Sequence, residues 1–225
     1  MHRELGLVDE AVTIPAGLFS LEKYRDWAHS RAFPRRGRIS WLAGSLEVDM
    51  SPEELETHNK VKGCLFGGIH GWLHGKALGD LLADGAFLVN EEADLATEPD
   101  LLFCKYTSIR RGKVRYAERK KGSKRYVEVV GSPDLVVEVV SESSVAKDTV
   151  RLRKLYQRAR VKEYWIVDAR GEEIRFKVLL RRPRSYSERT PARGGFVRSD
   201  VLGGAFRISR SVNPVGGYSY ELEAR

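Results

Sequence analysis

Periodicity divides the chain into short helical and extended segments. In LEKYRDWAHSRA, Leu21, Tyr24 and Trp27 or Ala28 share one stripe, which predicts a helix over Leu21–Ala32 ended by Pro34 and Gly37. RISWLAGSLEV, residues 38–48, reads as a hairpin turning at Ala43-Gly44-Ser45. In MSPEELETHNKVKG, Ser51 is placed to cap a helix, with Pro52 at the first helical position and Glu54 three residues on. Leu55, Val61, Leu65, Ile69, Trp72 and Leu73 keep helical spacing, so this helix is expected to reach Leu78, with a break near Gly67-Gly68.

Extended segments follow. GAFLVN (85–90), DLLFCKY (100–106) and LVVEVVS (135–141) read as three main strands, with a local pairing over Tyr126–Val130. The basic stretch from Arg110 to Arg125 reads as a surface excursion between them. DTVRLRKLYQRA (148–159) carries Val150, Leu152, Leu155 and Tyr156 at helical spacing, EYWIVD (163–168) is a fourth strand, and EIRFKVLL (173–180) begins a further pair. The remaining tail is β-rich and ends in a strand over Tyr218–Glu223.

The core order is helix, three strands, helix, strand, which predicts an α/β or α+β layered domain. The strands flanking the second helix are expected to be parallel. The expected organisation is an arm and helix over 1–37, a main domain over 38–180, and a β-rich extension over 181–225 packed on it.

The chain has 225 residues and a formal net charge of +8, which permits attraction to phosphates. Basic clusters stand at Arg35-Arg36, Arg110-Arg111, Arg119-Lys120-Lys121 and Arg181-Arg182; taken singly, each reads first as solvated surface. Cys64 and Cys104 form no metal-binding or disulfide pattern, so reduced thiols in a cytoplasmic protein are expected. MHRELGLVDEAV lacks an apolar run after its basic start, and no segment approaches the ~20 apolar residues of a membrane span.

The chemistry gathers on carboxylates. Glu138 interrupts the Val-rich run SPDLVVEVVS, and a charge in a buried strand is costly unless it is paired or binds a metal. Asp134 shares its face but lies about 13 Å away at ~3.3 Å per residue, too far to share one ion directly. Asp134 is kept as a candidate beside its alternative as a turn cap. Asp100, opening the second strand, is the natural partner if the two strands are neighbours. Two carboxylates with waters suit Mg²⁺ or Mn²⁺. An edge strand or a buried ion pair is the structural alternative for Glu138.

These residues, in this order, resemble a known family. EPDLLF at 98–103, SPDLVVEVVS, Lys147-Asp148 opening a helix, Tyr156 and EYWIVD are similar to the bacterial Uma-type restriction-endonuclease-like proteins, as is Met50-Ser51-Pro52 followed by His58. The resemblance spans residues 38–180. It implies a PD-(D/E)XK nuclease fold with an αβββαβ core, and a metal-dependent site in which Asp100 and Glu138 hold Mg²⁺ or Mn²⁺. Val140 stands where the superfamily has its lysine, and Leu152 where this family places a basic residue. Lys147 is the favoured substitute, with Arg151 and Lys154 nearby, and His58 is a further catalytic candidate. DNA is the expected partner, contacted by Arg110, Arg111, Lys113 and Arg151, and cutting both strands suits a homodimer. The missing lysine leaves a second expectation open: a degenerate site in a nucleic-acid-binding or regulatory module.

Overall fold

The computed structural model describes residues 12–119 and 122–225. Helix α1 (Leu21–Ala28) is capped by Ser20, whose hydroxyl accepts the Lys23 N–H at 3.3 Å. Strands β1 (Arg38–Leu42) and β2 (Leu46–Asp49) form the expected hairpin. Its turn holds Ala43 and Gly44 at φ of 50° and 81°. That left-handed pair matches the twist of the flanking strands. A π-helical turn, Leu55–Asn59, runs into α2 (Lys60–Leu73). The cap is Glu54, whose carboxylate accepts the N–H groups of Glu56 and Thr57, so the helix starts later than Ser51 and Pro52 suggest. It also stops before Leu78, and it does not break at Gly67-Gly68.

Strands β3 (Gly79–Ala83), β4 (Leu88–Asn90), β5 (Leu95–Thr97) and β6 (Leu101–Lys105) come next. They are followed by α3 (Tyr106–Arg110), β7 (Val114–Glu118), β8 (Tyr126–Gly131) and β9 (Leu135–Val139). A second π-helical turn, Lys147–Arg151, opens α4 (Leu152–Arg158). The chain closes with β10 (Glu163–Asp168), β11 (Arg175–Arg181), β12 (Tyr186–Glu188), β13 (Val197–Ser199), β14 (Gly204–Val212) and β15 (Tyr218–Ala224).

The central sheet has the order β12-β11-β10-β9-β6-β3, and β9 runs parallel to β10 across α4, as expected. A second sheet, β2-β1-β5-β4-β8-β7, packs on one face of it together with α4, through Leu42, Leu88, Leu95, Val136, Leu155 and Tyr164. Helix α2 and a three-stranded sheet, β13-β14-β15, cover the other face. Helix α1 closes the outer face of the second sheet with Tyr24 and Trp27. All of β9 is buried, which explains why it reads as an unbroken apolar run around Glu138. Leu222 of β15 sits so close to α2 that a Cβ at Gly68 would lie 2.7 Å from it.

The αβββαβ order is present, with one correction. Its first strand is β3, over residues that the sequence pattern leaves unassigned between the helix and Gly85. The segment expected to fill that place, Gly85–Asn90, supplies β4 to the second sheet instead. The basic excursion also differs: it starts at the end of α3, and its residues Val114–Glu118 form β7, which pairs with β8. Lys120 and Lys121 lie outside the described residues. Trp165 and Tyr164 are core residues on opposite faces of β10. Among the described residues no helix is long and apolar enough to cross a membrane.

Candidate active site

Asp100 sits in the link between two sheets, after β5 and immediately before β6. Antiparallel pairing of β6 with β9 sets Leu101 opposite Val137, so Asp100 falls beside Glu138. Asp100 Oδ2 accepts the Val139 N–H at 2.7 Å, and the Asp100 N–H points to Glu138 Oε2 at 3.4 Å. Both carboxylates are buried. The other oxygen of Glu138 accepts the Tyr156 hydroxyl at 2.6 Å.

The π-helical turn before α4 brings in the third acid and a cation. Asp148 is buried, and its Oδ2 accepts the Ser144 hydroxyl at 2.5 Å. Its Oδ1 is buried without a hydrogen bond, with the Lys147 ammonium 3.8 Å away. Burial, together with the charges of Asp148 and Asp100, pushes the Glu138 carboxyl well above its ordinary pKa. Burial also pushes Asp148 up to about 7, against the pull of Lys147. For Lys147 burial favours the neutral amine, but Glu138, Asp148 and Asp100 outweigh it and hold the ammonium above its ordinary value.

The turn before α2 supplies the opposite wall. His58 is buried, with Nδ1 3.0 Å from Glu53 Oε1 and Nε2 3.7 Å from Asp100 Oδ2. The Lys62 ammonium bonds to Glu53 and to Asp84 (2.7 Å) and lies 3.8 Å from Asp100 Oδ1. Arg38, reaching across from β1, is also 3.8 Å from Asp100 Oδ1. Burial opposes ionisation of Glu53, but the Lys62 and His58 contacts prevail and bring it down to about 2. Both helices at the site thus begin with π-helical turns, a distortion that recurs at functional sites. An open cavity of about 360 Å³ beside the site is lined by Arg38, Glu53, His58, Ser141, Ser143 and Arg170.

Of the residues expected to act, Asp100, Glu138, Lys147 and His58 come together. Asp134 does not. It faces the opposite end of β9, where it accepts the Lys105 N–H and the Ser108 hydroxyl, each at 2.8 Å, and pairs with Lys162. This is the capping alternative. Arg110, Arg111 and Lys113 are exposed at that same end, since Ser108 of α3 ties to Asp134 and the Lys113 carbonyl accepts the Ser132 N–H. Arg151 pairs with Glu47 of β2, Lys154 is exposed, and Val140 and Leu152 are fully buried in the core. Sequence reasoning missed Lys62, Glu53, Arg38 and Asp84. Lys62 carried one available signal: it lies one helical turn after His58, the candidate already chosen.

The acids offer a donor set fit for a hard divalent cation. Asp100 and Glu138 provide two carboxylates, and the unpaired Asp148 Oδ1 adds negative potential nearby. Among the described residues, no three His, Cys, Asp or Glu side chains converge as a ready ligand set. An ion held here would keep most of its waters, as Mg²⁺ does.

Comparison with known proteins decides the family. The Uma2 model, described as "Putative restriction endonuclease", matches residues 21–208. The chain belongs to the Uma2 family. The match extends the resemblance at both ends, taking in α1 and most of β14. A solved Anabaena variabilis structure, a "putative nuclease belonging to DUF820", matches with a TM-score of 0.56 at 12% identity, covering 82% of this chain and 90% of that one. At that identity the likeness is one of fold. No curated protein matches. Within this Uma2 chain, Asp100 and Glu138 adjoin where β6 pairs with β9.

Proposed function

We propose that the chain is a metal-dependent endonuclease that hydrolyses phosphodiester bonds in DNA. The reading rests on one observation above the others: buried Asp100 and Glu138 adjoin across β6 and β9, with the half-buried Lys147 ammonium held beside the neighbouring Asp148. Asp100 and Glu138 hold Mg²⁺ or Mn²⁺. The bound ion supplies a water of lowered pKa and neutralises charge on the phosphodiester. The Val139 N–H fixes Asp100, and the Tyr156 hydroxyl fixes Glu138. Lys147 stays protonated and stabilises the charge that develops on the phosphoryl oxygens. Arg38 and Lys62 stand on the other side of Asp100 and offset its charge before an ion arrives.

The test is cleavage of supercoiled and linear DNA, with RNA in parallel, in Mg²⁺ or Mn²⁺ by the wild type and Glu138→Ala. Cutting by the wild type alone is expected. Equal cutting by both overturns the assignment. Because cutting both strands takes two sites, a two-fold dimer is the working assembly, to be checked by light scattering.

A second reading is favoured by the burial of Val140 and Leu152 at the two expected lysine positions. In that reading the chain binds nucleic acid without cutting it. Calorimetric titration with Mg²⁺ or Mn²⁺ separates the two: an intact acid pair binds the ion, and a dismantled one does not.

A further inference from the structure

A second cavity lies away from the acid cluster. It is an open cleft of about 750 Å³ at the Asp134 end of β9, walled by Lys113 and Arg115 of the β7 arm, Arg160 and Lys162 between α4 and β10, and Arg181 at the end of β11. Five cations line it against two carboxylates, Glu91 and Glu92. Both carboxylates are already engaged: Glu92 with Arg160 at 2.9 Å, and Glu91 with Arg25 at 3.4 Å. Lys162 is taken by Asp134. Lys113, Arg115 and Arg181 have no carboxylate partner among the described residues.

Two local features place Arg181 and Arg160 at the cleft. Arg181 donates from Nε to the Gln157 carbonyl at 3.2 Å, which fixes its stem and leaves the two terminal nitrogens of its fork as donors. Arg160 sits at φ 60°, just past the end of α4. The Val161 N–H bonds back to Tyr156 O and the Arg160 N–H to Gln157 O, so Arg160 occupies the left-handed position of a helix-ending motif where glycine is the usual residue. A cation there suits the helix dipole, but Arg158 already supplies one in the last turn. The strained residue also carries its side chain into the cleft.

We propose that this cleft is a second anion site, which takes a ligand bearing two or more phosphate charges and holds it on Lys113, Arg115 and Arg181. The volume suits a nucleotide-sized group. Paired arginine forks suit phosphate oxygens better than a lone ammonium does. The ligand's phosphate comes either from a free phosphorylated small molecule or from nucleic acid. The site lies at the far end of β9 from Glu138, and it stands whether or not the acid cluster cuts DNA.

The probe is inorganic pyrophosphate, titrated calorimetrically into the full chain in EDTA at low salt, so that no metal bridge forms at the acid cluster. The wild type and Glu138→Ala should bind one equivalent alike. The double variant Arg115→Gln/Arg181→Gln changes exposed side chains only and should bind at least about tenfold more weakly. No binding by the wild type, or equal binding by the double variant, overturns the proposal. Competition against a fluorescent DNA duplex identifies the source. If pyrophosphate displaces the duplex and the double variant weakens it, the cleft receives nucleic-acid phosphate. If pyrophosphate binds and the duplex is indifferent to both, the ligand is a free phosphorylated molecule.

Discussion

The Tyr156 hydroxyl donates to Glu138 Oε1 at 2.6 Å, and both groups are buried. This bond links α4 to the middle of β9 and gives a core carboxylate its one side-chain donor. Tyr156→Phe strands that oxygen. The loss should be about 1–3 kcal/mol, the cost of leaving a buried acceptor unsatisfied. Urea unfolding measures it as a lower midpoint with an unchanged slope. An unchanged midpoint would mean that Glu138 is satisfied some other way.

Lys147 and Lys62 flank the acid pair from opposite sides, and their substitutions should differ. Lys147→Gln removes the ammonium assigned to the transition state, so cleavage should fall about 10²–10³-fold with little change in DNA affinity. Lys62→Gln removes a partner of Glu53 and Asp84 and should chiefly lower stability. Equal losses of turnover in the two variants would contradict this division.

Asp134 is predicted to be structural. Asp134→Ala abandons the Lys105 N–H and the Ser108 hydroxyl, and should cost roughly 2–4 kcal/mol. Lys162, half exposed, is rehydrated. Cleavage per folded molecule should be retained. A stable but inactive Asp134→Ala protein would return this residue to the catalytic list.

Stability of the metal-free protein should fall as pH rises through the range set by Asp148. Its folded pKa, about 7, lies above its ordinary value. Between the two the folded state binds more protons than the unfolded state, so raising the pH favours unfolding. Glu138 acts in the same direction. Asp148→Asn should flatten the decline between about pH 4 and 7. Added Mg²⁺ should raise the melting temperature more at pH 8 than at pH 5.5, because the ion binds the ionised acids. Calorimetric melting across that range tests both.

The parts legible in the sequence are those where one segment carries its own signal. β10 was delimited to the residue because both of its faces are buried between clear breaks. Asp100 and Glu138 were legible as a pair because each opens or interrupts an apolar run and the two strands are adjacent. β3 was not, since GDLLADG has only two strongly apolar residues, set among Gly and Asp that read as loop. The three-residue strand β5 is too short for alternation to register. Arg38 and Asp84 were hidden for another reason: they reach the site through the packing of two sheets, and no local pattern records a contact across a tertiary interface. Asp134 was misplaced because sharing a face with Glu138 says nothing about which end of the strand meets the site.

Asp100 belongs to the joint Glu98-Pro99-Asp100, where the backbone leaves β5 of one sheet and enters β6 of the other. One wall of the site hangs from the second sheet through Arg38, and the other from the central sheet through Glu138 and the turn that carries Lys147. The second sheet thus contributes a cation that balances Asp100, while the acids and Lys147 belong to the central sheet and the turn after β9. On the proposed reading, activity would therefore wait on the packing of the two sheets that brings Arg38 against Asp100.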